Sequence, residues 1–309
     1  MAHPKLLLCL SALALSCSGS DPASADRQPR VVCTTAMIGD LAREVAGDTA
    51  SVTTLFGPDM DPHLFRPTRD DVKVLMGADL VLYNGLHLEG YLTEALERVG
   101  ASGVEVVAVA EQVLLEDELI SDGAAPDPHV WMDPSIWSRV PALIAGELTE
   151  RRPDDAADLS ARATTMTARL TRADQRFEAS FAELPRARRV LLTAHDAFQY
   201  FGRRYDLEVR GIQGVSTTSE ASLSHIEALV EIVVERQIPA VFFESTVSER
   251  SVKALVEGAR ALGQDLQIGG VLHADAPGSA ETYEGMLASN VKTILGALSV
   301  GFADAEVTR

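Results

Sequence analysis

Apolar positions in the first half of the chain alternate between two periods. Short continuous apolar runs at 31–35, 52–56, 80–84 and 104–109 are typical of buried strands, and the segments 37–46, 68–77 and 88–99 have the spacing of amphipathic helices. Thr68 and Asp71 fit a helix start, because a threonine and an acidic residue three positions later can cap each other's backbone groups. This alternation predicts a parallel sheet with flanking helices.

The second half of the chain repeats the alternation. Each predicted strand is followed by a predicted helix, and the successive elements lie at 189–193, 196–205, 207–212, 222–237, 240–243, 248–262, 266–272 and 280–298. A chain of 309 residues also exceeds one ordinary domain. The sequence therefore predicts an α/β protein with two lobes, each a mainly parallel sheet with flanking helices.

One long helix is predicted between the lobes. The segment 153–185 has a proline at each end, no glycine or proline inside it, and apolar residues at helical spacing. A helix of about 30 residues spans roughly 45 Å, the length of a small domain, so it would resist bending between the lobes. We therefore expect a first lobe at 30–152, a linking helix at 153–185 and a second lobe at 186–309.

The N-terminus has the pattern of an export signal. A short apolar run that ends in small residues is typical of a signal peptide, here at 1–16. The sequence Leu-Ala-Leu-Ser-Cys at 13–17 resembles a bacterial lipobox, which favours a lipid anchor on Cys17 and a tether at 17–29. Ordinary cleavage after Ala25 is the alternative. We expect an extracytoplasmic protein, in the periplasm or on the outer face of the cytoplasmic membrane, that contacts membrane only through this anchor.

Charge and cysteine content narrow the classes of function. The formal net charge is −18 and no basic cluster exceeds a short arginine pair, so nucleic acid is not expected as a partner. The chain has three cysteines. With Cys9 removed in the leader and Cys17 lipidated, Cys33 remains in an apolar run, where we expect a buried small side chain and no reactive thiol.

The tripeptide Asp-Pro-His occurs twice, at 61–63 and 127–129. His63 and His129 are 66 residues apart, and His195 follows after a further 66. Proline favours extended backbone in the residue before it, so the first two histidines are expected in rigid loops. Together with Asp275, which lies in another loop-like stretch, three imidazoles would fill the tetrahedral shell of a divalent metal and leave no position for a substrate.

These four residues also lie where α/β folds place their binding sites. Each one follows a predicted strand or precedes a predicted helix, and open α/β sheets bind ligands beyond the carboxyl ends of their strands. His63 and His129 belong to the first predicted lobe, whereas His195 and Asp275 belong to the second. A metal bound by all four would cross-link the lobes.

The remaining polar residues near these loops receive other interpretations. Asp61 and Asp127 are expected to shape their loops, because the intervening proline points each carboxylate away from its histidine. His273 is an accessory ligand candidate, since it lies two residues from Asp275. His225 is interpreted as structural or exposed.

Five ordered segments give the chain a resemblance to a known family. They are 60–68 (MDPHLFRPT), 127–134 (DPHVWMDP), 193–201 (TAHDAFQYF), 214–220 (GVSTTSE) and 282–286 (TYEGM). In these segments the chain resembles the zinc/manganese substrate-binding proteins of bacterial metal ABC transporters. The resemblance implies two α/β lobes on a rigid helix, ligands at His63, His129, His195 and Asp275, and delivery of the metal to a permease that works with an ATPase. We expect a monomer.

His195 and one short segment bear on the identity of the metal. Members of this family regarded as manganese-specific tend to have glutamate at the position of His195, so the resemblance favours Zn²⁺, as does the preference of imidazole for zinc. Many zinc members have a long histidine-rich loop before the second ligand, whereas 115–127 is short and contains no histidine, which leaves Mn²⁺ or Fe²⁺ open. Glu220 is a candidate to hold a ligand imidazole through its N–H.

Two other classes of function use a bound metal. A zinc hydrolase would need one ligand displaced so that the metal could activate water, and the chain has no His-Glu-x-x-His helix and only Glu220 as a candidate base. An enzyme is therefore not expected. The other alternative is a surface lipoprotein that acts as an adhesin and holds a structural metal, and nothing in the sequence discriminates against it.

Overall fold

The computed structural model describes residues 27–121 and 125–299. The predicted signal peptide, Cys17, the alternative cleavage site after Ala25 and most of the tether lie outside these residues. Among the described helices, none is long and apolar enough to cross a membrane.

Four parallel strands form the sheet of the first lobe. They are β1 (Arg30–Cys33), β2 (Ser51–Thr54), β3 (Leu80–Tyr83) and β4 (Glu105–Ala108), in the spatial order β2-β1-β3-β4. The central strands β1 and β3 are mostly buried, as expected for strands covered on both faces, whereas the edge strand β2 has partly exposed side chains. The predicted parallel sheet is confirmed.

Six helices accompany this sheet: α1 (Ala36–Ala46), α2 (Arg69–Met76), α3 (Thr93–Ala101), α4 (Val109–Val113), α5 (Pro134–Trp137) and α6 (Val140–Arg151). Thr68 and Asp71 form the predicted capping box at the start of α2. The predicted helix at 88–99 is shorter, because a 3₁₀ turn at Gly90–Leu92 precedes α3. The sequence did not predict α4, which has only five residues.

The linking helix α7 (Ala156–Ala182) has 27 residues. It begins after a 3₁₀ turn at Pro153–Asp155, and at 1.5 Å per residue it spans roughly 40 Å. The apolar residues that gave this segment its helical period are all buried: Leu159, Ala163, Met166, Leu170, Ala173 and Phe177. One face of α7 therefore contributes to the core along almost its whole length.

The second lobe contains β5 (Val190–Thr193), β6 (Glu208–Gly211), β7 (Ala240–Glu244) and β8 (Gln267–Leu272). All pairing is parallel, but the strands form two pairs, β5 with β6 and β7 with β8, and β5 lies beside β7. A register shift interrupts the β7–β8 pair between Val241 and Phe242. The helices of this lobe are α8 (Gln199–Tyr205), α9 (Leu223–Arg236), α10 (Arg250–Ala261) and α11 (Tyr283–Leu298).

A buried seam joins the two lobes beside α7. The last helix, α11, packs against both α1 and α7, and its apolar residues share one core cluster with theirs. Tyr283 donates its hydroxyl to the carbonyl of Trp131 at 2.7 Å, and the Trp131 indole donates to the carbonyl of Ala274 at 2.9 Å. The lobes are thus held by packing and hydrogen bonds as well as by one helix.

Cys33 lies inside the first lobe. It is fully buried among apolar side chains, and burial raises the pKa of its thiol to about 12. The thiol is therefore protonated at neutral pH, which agrees with its interpretation as a small core residue.

Candidate metal centre

The four residues singled out in the sequence meet in one buried cluster. His63, His129, His195 and Asp275 each offer a donor atom, and these atoms all lie within 4.8 Å of one another. Nε2 of His63 is 3.3 Å from Nε2 of His129, and Nε2 of His129 is 3.4 Å from Oδ1 of Asp275. Nε2 of His195 is 3.4 Å from Oδ2 of Asp275. Nε2 of His129 and Nε2 of His195 therefore face one carboxylate, and Nε2 of His63 lies beside that of His129.

The loop before the 3₁₀ turn Val130–Met132 fixes the His129 ring through its Nδ1 atom. Oδ1 of Asp127 accepts from the backbone N–H of His129 at 2.9 Å and lies 2.7 Å from its Nδ1. Burial acts to lower the pKa of His129, but the Asp127 and Asp275 carboxylates outweigh it and raise that pKa to about 9. A carboxylate on Nδ1 leaves Nε2 free to bind metal and makes the imidazole a stronger donor.

The His129 loop is also anchored to the sheet of the first lobe. Asn84, at the end of β3, donates from Nδ2 to the carbonyl of Pro128 at 3.0 Å. Glu89 holds that strand end, because its buried carboxylate accepts from the backbone N–H of Asn84 at 2.7 Å and from the hydroxyl of Thr34 at 2.7 Å. The position of His129 is thereby tied to the carboxyl ends of β1 and β3.

His195 is the second residue after β5 and is supported by the neighbouring strand β7. Nδ1 of His195 bonds to Oε2 of Glu244, the last residue of β7, and Oε1 of Glu244 accepts from the backbone N–H of His195 at 2.8 Å. Burial acts to lower the pKa of His195, but the Glu244 and Asp275 carboxylates raise it well above its ordinary value. Nε2 of His195 has no hydrogen-bond partner among the described residues.

His63 is supported differently from the other two histidines. Oδ1 of Asp61 accepts from its backbone N–H at 2.8 Å, but none of the described residues hydrogen-bonds to its Nδ1. Burial lowers the pKa of His63 to about 4, and the nearby Asp275 carboxylate only partly offsets this effect. The His63 side chain is consequently neutral at physiological pH, the form in which imidazole binds metal.

Asp275 lies at the centre of the cluster. Burial acts to raise its pKa, but the imidazoles of His195, His129 and His63 hold that pKa well below the ordinary range. Its Oδ1 atom is buried and has no hydrogen-bond partner among the described residues. Buried polar atoms are usually paired, so the unpaired Oδ1 of Asp275 and Nε2 of His195 fit a centre built around a positive ion.

The structure does not bring every candidate to this cluster. Glu220 is exposed, and among the described residues it makes no hydrogen bond to a ligand imidazole. Instead, Glu244 bonds to Nδ1 of His195 and Asp127 bonds to Nδ1 of His129. His273 is half-buried and lies outside the group of four donors.

The sequence did not predict that the Glu244 and Asp127 carboxylates bond to Nδ1 of clustered histidines, and the reasons differ. Glu244 lies 49 residues beyond His195, and its only signal is a charged residue that ends an otherwise apolar strand. Asp127 was expected only to shape its loop. The structure shows that it does so, but the expectation that Pro128 points this carboxylate away from its histidine is wrong, because the turn brings the same oxygen to Nδ1 of His129.

The cluster has the composition of a closed tetrahedral metal site. Three nitrogens and one carboxylate suit a borderline divalent ion, and four protein donors leave no position for a bound substrate. Every donor residue is buried, the most exposed being His63 at 5%. Such a site suits capture of a metal better than metal-assisted hydrolysis.

Comparison with known proteins gives the same class. A family model described as ZnuA, zinc-uptake complex component A, periplasmic, matches residues 31–297. The manganese-binding lipoprotein MntA of Bacillus subtilis is 41% identical over 293 residues, 92% of this chain and 95% of that protein. The zinc-binding protein TroA of Treponema pallidum is 39% identical over 308 residues, 97% of this chain and 100% of that protein.

A solved structure has the same fold over most of the chain. The periplasmic zinc-binding protein TroA from Treponema pallidum superposes with a TM-score of 0.84 at 40% identity, covering 88% of this chain and 99% of that chain. Fold and donor cluster together define a solute-binding receptor of a metal ABC transporter, not an enzyme. The chain belongs to the ZnuA family of zinc-uptake components.

Proposed function

We propose that this protein captures one divalent transition-metal ion outside the cytoplasm and delivers it to an ABC permease and its ATPase. The ion is bound by Nε2 of His63, His129 and His195 and by the carboxylate of Asp275. The observation that carries this proposal is the convergence of these four buried residues, since Nε2 of His195 and Oδ1 of Asp275 have no hydrogen-bond partner among the described residues.

Zn²⁺ is the preferred ion in this proposal. Imidazole suits zinc, and most nitrogen-containing sites bind zinc more tightly than manganese or ferrous iron. The relatives MntA and TroA are named for different metals, manganese for MntA and zinc for TroA. Mn²⁺ and Fe²⁺ are therefore the alternative cargo.

The location of the protein forms part of the proposal. We infer a lipid anchor on Cys17 that holds a monomeric receptor at the outer face of the cytoplasmic membrane or in the periplasm. Support comes from the lipobox-like sequence at 13–17 and from the relative MntA, which is named a lipoprotein.

Titration of purified, metal-free protein tests the proposal. We expect one Zn²⁺ per chain, competition by Mn²⁺ or Fe²⁺ only at higher concentration, and loss of tight binding in His129→Ala. His225→Ala is the matched control, because His225 is an exposed residue of α9 that lies outside the cluster. Unchanged zinc affinity in His129→Ala would contradict the assignment, and tighter binding of Mn²⁺ than of Zn²⁺ would correct the metal.

A further inference from the structure

The loop that carries His63 is held from the opposite lobe. This segment, residues 57–67 between β2 and α2 and here called the His63 loop, contains no regular helix or strand. The backbone N–H of Gly278, in the loop of Asp275, donates to the carbonyl of Pro58 at 3.0 Å. The hydroxyl of Thr217, in the loop between β6 and α9, donates to Oδ2 of Asp61 at 2.7 Å.

Asp61 connects the second of these bonds to a metal donor. Its two carboxylate oxygens have separate partners: Oδ2 accepts from Thr217 of the second lobe, and Oδ1 accepts from the backbone N–H of His63 at 2.8 Å. Only one side chain therefore lies between the hydroxyl of Thr217 and the backbone of His63. A movement of either lobe that breaks the Thr217 bond also frees the residue that orients His63.

His63 is the donor for which this connection matters most. The rings of His129 and His195 are each fixed by a carboxylate on Nδ1, from Asp127 and Glu244. The ring of His63 has no such partner among the described residues, so its orientation depends on its backbone and on packing. Of the four donor residues it is also the most exposed, at 5%.

We propose that Thr217 and Asp61 form a latch across the cleft, and that Thr217 is a positioning residue that sets the rate of metal release. The proposal rests on the proposed function, because it assumes that His63 binds the metal. A metal with four protein donors leaves by losing them in turn, and the donor with the least support detaches first. Loss of the Thr217 hydroxyl frees the His63 loop from one of its two cross-cleft hydrogen bonds and speeds this step.

Stopped-flow release of Zn²⁺ into excess chelator measures the effect. Thr217→Val keeps the size and β-branching of the side chain but removes the hydroxyl, and it should release zinc roughly tenfold faster, the factor that corresponds to one hydrogen bond to a charged group. Thr217→Ser restores a hydroxyl and should return the release rate close to wild type. The stoichiometry of one zinc should be unchanged in both variants.

Thr218→Val is the matched control. Thr218 is the exposed neighbour of Thr217, and its hydroxyl pairs with Ser216 at 3.0 Å without crossing the cleft. Its release rate should equal that of wild type. If Thr217→Val binds no zinc, Thr217→Ala provides the same comparison with a smaller side chain.

The outcomes distinguish failure of the latch from failure of the proposed metal-capture function. Wild-type protein that binds no metal overturns the proposed function. Wild-type protein that binds zinc while Thr217→Val or Thr217→Ala releases it at the wild-type rate overturns the latch alone. Faster release that Thr217→Ser does not restore also overturns the latch, because the effect then belongs to the shape of the loop and not to the hydroxyl.

Discussion

The three histidines of the cluster are chemically identical but differ in the partner of their Nδ1 atoms. His129 and His195 each have a carboxylate on Nδ1, whereas the backbone of His63 is held by Asp61 and its ring has no such partner within residues 27–121 and 125–299. A carboxylate partner fixes the tautomer and the ring plane, and it raises the basicity of the donor. Two donors are therefore preorganised for a metal, and the third depends on its loop.

Replacement of Glu244 by glutamine should weaken zinc binding. Glu244→Gln preserves shape but removes the charge behind His195, and loss of such a partner typically costs about 10- to 100-fold in metal affinity. Competition with a chelator of known affinity would measure this change. Glu220→Gln makes the same chemical change at an exposed position and should leave affinity unchanged. Equal affinities for the two variants would contradict a role for Glu244.

Zinc binding at pH 7.5 should release protons. In the metal-free protein the pKa of His129 is raised to about 9 and that of His195 lies well above its ordinary value, so both imidazoles carry a proton that the metal must displace. Calorimetry in two buffers of different ionisation enthalpy would give the number of protons released. A binding enthalpy that is independent of the buffer would contradict these protonation states.

The directions of these pKa shifts also predict how zinc affinity depends on pH. Protons compete with metal below the pKa of each donor, so affinity should rise as pH increases from 5.5 to 7.5 and continue to rise towards about 9, where His129 loses its proton. His63, with a pKa lowered to about 4, adds to the loss of affinity only in stronger acid. Equal affinity at pH 5.5 and 7.5 would contradict this prediction.

The four clustered residues could be found from the sequence, whereas their supporting partners could not. His63 and His129 stand in a repeated tripeptide and His195 directly follows an apolar strand, so local patterns marked them. Glu244 and Thr217 reach the cluster only through the packing of one strand or loop against another. Contacts of that kind depend on tertiary structure, which the period of a single segment does not contain.

At the scale of elements, the hydrophobic period was sufficient wherever an element buries one clear face. The apolar stripe of α7 and the central strands of the first sheet were predicted within a few residues. The short helix α4 and the division between α5 and α6 were missed, because so few turns carry too weak a period. The gap between the β5–β6 and β7–β8 pairs depends on pairing between strands, which the period of one strand does not report.

The buried stripe of α7 should dominate its contribution to stability. Leu170→Ala removes a fully packed side chain and should lower the free energy of unfolding by about 2–5 kcal/mol. The adjacent Thr171 is exposed and bonds only to the carbonyl of Thr167, so Thr171→Ala should change stability by less than about 0.5 kcal/mol. Denaturant titration of both variants measures the difference, and similar values would contradict the burial pattern of α7.

At the scale of the whole molecule, the candidate metal centre joins residues from both lobes. His63 and His129 lie in loops of the first lobe, whereas His195 and Asp275 follow strands of the second lobe. Anything that binds the folded chain but not the unfolded chain stabilises it, and here the bound ion would also hold the lobes together.

Zinc should therefore raise the unfolding temperature. At a free concentration of 100 times its dissociation constant, the ion adds about 2.7 kcal/mol to the free energy of unfolding. Calorimetric scans with and without zinc would detect the increase, and His129→Ala should abolish it. Mg²⁺ prefers oxygen ligands in octahedral geometry and serves as the control ion that should produce no increase. A similar increase with Mg²⁺ would point to nonspecific binding by the acidic surface.

The position of α11 has a consequence for how the chain matures. Although α11 is the last described helix, it packs against α1 near the start of the chain, and Met286, Leu287 and Ile294 share a core with Ile38 and Leu41. During synthesis α1 leaves the ribosome long before α11, so the core that these two helices share cannot close until α11 has also emerged. Until α11 is made, the apolar face of α1 lacks part of its packing, so the chain cannot reach its full folded stability before that point.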